Sequence, residues 1–286
     1  MNAELLIMFT LDCDRAYLYA HPERKLTPDE IQRYDEALAR RAAGVPAQYI
    51  TGHQEFWGLD LIVSQAVLIP RPETEHVVEA VLELVSSADS KQSQKKDQKP
   101  RTGASAPHDL SVPHTLRIAD VGTGSGAIAL ALAKELPTAQ IHATDISPEA
   151  LDVARANAAR HELTSRIKFH QTDLLDGFPP DSFDIVVSNP PYVGDSEEES
   201  VQLEVRKFEP RDAVFAGPTG VEVIERLIPQ ARNALRPGGW LVFEISGTIA
   251  DRVRSLLSAS DWNEVEIRND LQGIERVAIA RRTARG

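Results

Sequence analysis

The five residues Ser188-Asn189-Pro190-Pro191-Tyr192 directly follow the apolar run Phe183-Asp184-Ile185-Val186-Val187. Two consecutive prolines exclude helix and remove two ladder donors, so a buried strand has to stop there. Such a stop offers a pair of acceptors on a rigid turn: the Asn189 side-chain oxygen and the Pro190 backbone carbonyl. An amide nitrogen is a poor nucleophile because its lone pair is delocalised into the carbonyl. Two acceptors that take both of its N–H hydrogens hold it still and turn the lone pair toward an electrophile. Orientation of this kind contributes about 7–11 kcal/mol in favourable cases. Asn189, Pro190 and Tyr192 are therefore expected to be catalytic. Asn189, Pro190, Pro191 and Tyr192 are expected to hold the acceptor, with the Tyr192 ring packed against its planar group. No strong base is needed, since the nitrogen becomes far more acidic as it gains the new bond.

A reaction at nitrogen also needs a donor site. Ile118-Ala119-Asp120-Val121-Gly122-Thr123-Gly124-Ser125-Gly126 reads as a strand running into a glycine turn, with a helix after it. Gly122, Gly124 and Gly126 let the backbone pass close to a ligand, and Asp120 sits just before the turn. Asp145 ends the next strand, where a carboxylate can accept both ribose hydroxyls of an adenosine. The spacing is G-x-G-x-G, not the G-x-G-x-x-G of dinucleotide sites. That favours S-adenosylmethionine, a nucleoside with no pyrophosphate to cradle. Asp173, after the third strand, is placed to reach an adenine amino group, although a solvated loop acid is the plainer reading.

Strand-like runs at 116–121, 140–144, 167–170, 184–188, 240–245, 264–267 and 276–280 must position these residues. Helical patterns at 127–136, 148–161, 221–235 and 248–260 fall between most of them. The alternation predicts an α/β doubly wound, mostly parallel sheet with ligands at the carboxyl ends of its strands. Upstream, the first segment, to about Gly52, reads as helical, with Thr27-Pro28-Asp29-Glu30 a capping box at one start. Residues 50–63 alternate and predict a hairpin around Gly58. Residues 86–114 are rich in Ser, Lys, Gln and Pro and nearly free of large apolar side chains, so a disordered surface insertion is expected.

The 286 residues carry a formal net charge of −12, which gives no basic field for a phosphate backbone. Direct nucleic-acid binding is therefore not expected. No apolar run reaches the roughly 18 residues that cross a bilayer, so no membrane role is expected. The start has acids where a signal peptide has basic residues. The single cysteine, Cys13, excludes an internal disulfide and suits a reducing, cytoplasmic setting. The eight histidines are scattered without ligand spacing, so no metal site is expected.

Leu68-Ile69-Pro70-Arg71-Pro72-Glu73-Thr74-Glu75, the Ser188–Val193 stretch, and Val205 to Gly217 (VRKFEPRDAVFAG) together resemble the release factor glutamine N5-methyltransferases, the HemK/PrmC family. The resemblance runs from about Ala3 to Arg281 outside the insertion. It implies a seven-stranded class I (Rossmann-like) methyltransferase sheet with a small N-terminal helical domain. The division it suggests is 1–52 for release-factor docking, 53–75 as hairpin and linker, and 76–286 as the methyltransferase domain. It implies an enzyme that methylates, from S-adenosylmethionine, the glutamine of the Gly-Gly-Gln motif in class I peptide chain release factors. Carried over, Gly122, Thr123, Gly124, Ser125, Gly126, Asp145, Asp173, Leu174 and Asn189 face the cofactor, with Arg71, Pro72, Glu73 and Thr74 over its methionine end. Phe208, Glu209 and Pro210 are expected to shape the acceptor rim, and the acidic run 195–199 to be a solvated loop beside it. The insertion is longer than relatives have, and the chain starts at what resembles the family's second or third helix, so either the start is assigned too far downstream or the docking part is trimmed. The alternatives are a ribosomal-protein glutamine methyltransferase, an N6-adenine nucleic-acid methyltransferase and a non-enzymatic binding scaffold. The Arg71 motif, the acidic charge and the intact site residues argue against them in turn.

Overall fold

The computed structural model describes residues 2–97, 115–259 and 262–283. Four helices come first: α1 (Asn2–Leu11), α2 (Arg15–Ala20), α3 (Pro28–Ala42) and α4 (Ala47–Thr51). Helix α3 opens as its sequence dictates. The Thr27 hydroxyl accepts from the Glu30 amide while the Glu30 carboxylate accepts from the Thr27 amide. A hairpin of β1 (His53–Phe56) and β2 (Leu59–Ile62) follows. Its two turn residues, Trp57 at φ 54° and Gly58 at φ 66°, both lie in the left-handed region, as a two-residue hairpin of this twist requires. A tryptophan there is held by its surroundings: its amide donates to Glu75 and its ring N–H to Glu135.

A 3-10 turn, Pro72–Thr74, leads into helix α5 (Glu75–Asp97). The helix continues past Ser86, where the composition predicted irregular chain. Serine, alanine, lysine and glutamine extend an established helix at little cost, so polar composition alone does not end one. The rest of the expected insertion, 98–114, lies outside the described residues.

From β3 onward the chain alternates as predicted: β3 (Arg117–Val121), α6 (Ala127–Glu135), β4 (Gln140–Asp145), α7 (Pro148–Arg160), β5 (Ile167–Gln171) and β6 (Phe183–Ser188). Short pieces β7 (Val193–Gly194), α8 (Leu203–Phe208), α9 (Arg211–Val214) and β8 (Phe215–Gly217) come next. The chain continues through α10 (Glu222–Ala234), β9 (Leu235–Glu244), α11 (Ala250–Ser258), β10 (Trp262–Asn269) and β11 (Glu275–Arg282). The main sheet has seven strands in the order β10-β11-β9-β6-β3-β4-β5, with β11 antiparallel to both neighbours and the remaining pairs parallel. Alternate strand residues go to opposite faces. Ile118, Ile141 and Val242 pack with α5, α6 and the hairpin, while Ala119, Val186 and Phe243 pack with α10 and α11. Among the described residues no helix is long and apolar enough to cross a membrane.

The chain runs outward from β3 to β4 and β5, then returns to the other side of β3 with β6. The reversal between β3 and β6 is the switch point at which an open α/β sheet forms its ligand crevice.

Candidate active site

One rung of the sheet organises this crevice. Thr144 of β4 pairs with Val121 of β3, Val121 with Ser188 of β6, and Ser188 with Phe243 of β9. The four strands are mutually parallel, so the next residue of each emerges on one rim: Asp145, Gly122, Asn189 and Glu244. The buried Ser188 hydroxyl ties the two central strands at this level by donating to the Val121 carbonyl at 2.7 Å.

On the β3 side, the turn has left-handed backbone at Gly122 (φ 68°) and Gly124 (φ 54°), and a Cβ at either would meet nothing within 4 Å. The Gly124 amide donates to Asp145 Oδ2 at 2.9 Å and the Ser147 amide to Oδ1 at 3.0 Å, which aims the Asp145 carboxylate across the turn. Burial, the leading cause, holds the Asp145 carboxyl above the usual carboxylate range. Asp120 lies beneath the turn. Its Oδ2 accepts from the Thr123 hydroxyl at 2.6 Å and the Ala129 amide at 3.0 Å, while its buried Oδ1 has no partner. Burial pushes this carboxyl up to about 7, and neighbouring Asp145 pushes the same way. Beneath Ser125, the fully buried Asn157 donates to the Ser125 and Ile62 carbonyls and accepts from the Ile62 amide, bolting the turn to the hairpin.

On the β6 side the predicted residues form a relay. Asn189 Nδ2 donates to Thr74 Oγ1 at 3.0 Å, Thr74 Oγ1 donates to Glu244 Oε2 at 2.6 Å, and the Tyr192 hydroxyl donates to Glu244 Oε1 at 2.9 Å. Among the described residues, Asn189 Oδ1 and the Pro190 carbonyl accept no hydrogen bond. Burial raises the Glu244 carboxyl, and burial beside this carboxylate raises the Tyr192 hydroxyl. After the prolines, β7 pairs in parallel with β8, which brings the Val205–Gly217 motif against the turn. Within that motif the buried Glu209 accepts from Arg71 at 2.5 Å and from the Ile69 amide at 3.1 Å. Phe208, one of the three expected rim residues, packs with Tyr49, Val63 and Ile69 in a small apolar cluster.

Several expected residues sit differently from their sequence reading. The Asp173 carboxylate is engaged by Arg226 of α10, so an adenine amino group would compete with a guanidinium there. Leu174 adopts φ 52° and packs on the α10 face of the core. The Tyr192 ring also packs on that core and its hydroxyl belongs to Glu244. Thr74 and Arg71 serve as links to Asn189 and Glu209. The acidic run is a 3-10 turn, Asp195–Ser200, tethered by Arg211 through Asp195 and Glu198. Two residues went unread in the sequence. One is Glu244, the charged end of an apolar strand. The other is Ile146, an isoleucine 65% exposed directly after Asp145, which offers an apolar face to a planar ring.

Comparison with known proteins agrees with this layout. The methyltransferase small domain model matches residues 107–207, and the PrmC N-terminal domain model matches residues 1–52. The release factor glutamine methyltransferase of Koribacter versatilis is 51% identical over 283 residues, covering 99% of this chain and 91% of its own. That of Chlorobaculum tepidum is 40% identical, covering 96% and 88%. Among solved structures, the catalytic domain of hMettl16 in complex with a MAT2A 3'UTR hairpin gives a TM-score of 0.57 at 18% identity, over 82% of this chain and 79% of that one. A methyltransferase from Pyrococcus furiosus gives 0.52 at 16%, over 88% and 98%. These two show the fold alone, a class I methyltransferase sheet. The near full-length identity to curated relatives decides the family: this chain belongs to the release factor glutamine methyltransferases, enzymes whose methyl donor is S-adenosylmethionine.

Proposed function

We propose that the protein methylates the side-chain amide nitrogen, N5, of the glutamine in the Gly-Gly-Gln motif of class I peptide chain release factors, and so acts on translation termination. The observation that carries this reading is the shared rung, because it opens a glycine turn and an acceptor pair onto one crevice.

The residues present suit the donor. Asp120 Oδ1 is a buried carboxylate oxygen with no partner, an acceptor suited to an ammonium group. The open space beside Gly122 and Gly124 admits a ligand against the backbone. Asp145 accepts the Gly124 amide on one oxygen and the Ser147 amide on the other, a carboxylate anchored at the strand end where ribose hydroxyls can donate to it. S-adenosylmethionine, when bound, supplies an electrophilic methyl group.

The acceptor residues work by orientation. Asn189 Oδ1 and the Pro190 carbonyl take the two N–H hydrogens of the glutamine amide, which fixes its plane and frees the lone pair for attack. Pro190 and Pro191 make the turn rigid, so both acceptors are in place before the substrate arrives. Residues 1–52 are read as the part that docks the release factor, 53–75 as hairpin and linker, and 76–286 as the methyltransferase domain. The partner is read as protein, because a net charge of −12 leaves no general field for a phosphate backbone.

Mass mapping of release-factor peptides after incubation with enzyme and donor tests the assignment. One added methyl on the Gly-Gly-Gln glutamine is expected. An unmodified glutamine with the donor demonstrably bound would defeat it.

A further inference from the structure

Glu244 is 1% exposed, and both of its oxygens are engaged by hydroxyls rather than by a cation. Its charged neighbours are Arg276 of β11, which favours the ionised form, and Glu73 of the 3-10 turn, which opposes it. Burying a carboxylate without a salt-bridge partner is unfavourable, and an apolar residue here would pack more easily. The geometry points to a reason. We propose that Glu244 is a positioning residue: acting through Thr74, it sets which edge of the Asn189 amide faces the substrate. This rests on reading Asn189 as the residue that holds the glutamine amide.

The chain of donors has one direction because it ends on a group that only accepts. Both Glu244 oxygens act as acceptors, so the Thr74 and Tyr192 hydroxyls each donate their single proton to it. With its proton committed, Thr74 Oγ1 can only accept from Asn189. That selects the Nδ2 edge, which lies 3.0 Å away. The amide is planar, with oxygen and nitrogen on opposite arms, so Oδ1 is turned away from Thr74 and presents an acceptor. A glutamine N–H requires that polarity. If the carboxylate were replaced by a group able to donate, Thr74 could turn its proton toward Asn189. The amide would then settle flipped, with N–H donors facing the substrate's own N–H donors. Tyr192 takes the second oxygen and blocks the other route by which Glu244 could turn.

The test uses the full chain and three variants, Glu244→Gln, Thr74→Val and Thr74→Ser, with release-factor methylation under single and multiple turnover and donor binding by calorimetry. Glu244→Gln and Thr74→Val are expected to lower kcat about 100-fold, the usual scale for losing one preorganised polar contact, with KM and donor Kd within about threefold of wild type. Thr74→Ser keeps the hydroxyl and should stay within about threefold throughout. Should Glu244→Gln fail to fold, the Thr74 pair decides alone. A kcat near wild type in Glu244→Gln or Thr74→Val, or a loss in Thr74→Ser as deep as in Thr74→Val, overturns the proposal. Nitrogen-15 labelling of asparagine reads the relay without turnover. The Asn189 side-chain NH2 should be protected from solvent exchange in wild type and exposed in Thr74→Val; no difference overturns the relay. If wild type methylates no release factor while that protection is present, the substrate reading fails and the relay stands.

Discussion

Asp120 and Glu244 stand at the carboxyl ends of β3 and β9, and each is about 1% exposed, yet they are satisfied in opposite ways. Asp120 takes both of its hydrogen bonds on one oxygen and leaves the other without a partner. Glu244 spreads two hydroxyl donors over two oxygens. Burial raises both carboxyls, and the nearby charges differ: Asp145 pushes Asp120 further toward its protonated form, while at Glu244 Arg276 favours the ionised form and Glu73 opposes it. The donor half of the crevice is thus left incomplete by the chain and suits a ligand that brings a cation. On the acceptor side the carboxylate itself is satisfied before any ligand arrives, and the open acceptors are Asn189 Oδ1 and the Pro190 carbonyl. A carboxylate oxygen left open on one side and a carboxylate fixed in advance on the other are two ways of arranging a site for one reaction.

The deepest cut at this contrast is Asn189→Ala. Turnover should fall at least about 1,000-fold, since orientation is the main lever, while donor Kd stays within about threefold. Single-turnover methylation and calorimetry read the two quantities separately, and a collapse of donor binding would merge the halves. Next comes Asp120→Asn, which keeps one oxygen for Thr123 and Ala129 and removes the charge facing the ligand. Donor affinity should weaken about 10–100-fold, the scale of one charge-assisted hydrogen bond.

The same variant carries a stability signature whose sign is fixed. Asp120 has its folded pKa raised from 3.8 to about 7, so the folded protein holds that proton more tightly than the unfolded chain. The resulting stabilisation is present at acid pH and is lost as pH rises toward 7, by a few kcal/mol at most, on the order of 1.4 per unit. Without donor, Asp120→Asn should melt at least as high as wild type at pH 8 and show a flatter profile between pH 5 and 8. Parallel profiles would rule out the unsatisfied charge. His142 gives the opposite slope. Burial lowers its pKa to about 4, so its contribution is present above pH 6.5 and lost as pH falls toward 4. His142→Phe should reduce that acid-side loss in melting experiments. The smallest effect expected is from Ser188→Ala, which removes the bond to Val121. It should cost about 1 kcal/mol of stability and change donor Kd and kcat by less than about threefold each.

Much of this arrangement is written locally. The apolar runs of the seven strands, the glycine turn and the double proline announce themselves within a few residues, and so does the Thr27 capping box. What local pattern does not carry is register. That Val121, Ser188 and Phe243 share a rung depends on pairing between segments far apart in the chain, and only that pairing reveals Glu244 as a neighbour of Asn189. A signal did exist: β3, β4 and β9 each carry an acid at or next to their carboxyl end, at Asp120, Asp145 and Glu244. Arg71 and Glu209 were both flagged by motif, but their ion pair joins elements that no periodicity connects. The helix through Asp97 shows the converse error, with composition overruling propensity.

The three bonds of Asn157 make the hairpin a structural dependant of the catalytic body. Removing the hairpin would leave its amide in a dry interior with two of those bonds gone, so a cut beyond the hairpin, at about 75, is a poor route to a smaller enzyme. The attachment also has mechanical meaning. Helix α4 runs into β1 through Gly52, whose carbonyl accepts from Val63 just beyond β2. A pull on the leading helices is therefore carried through the hairpin and Asn157 to the glycine turn at Ser125.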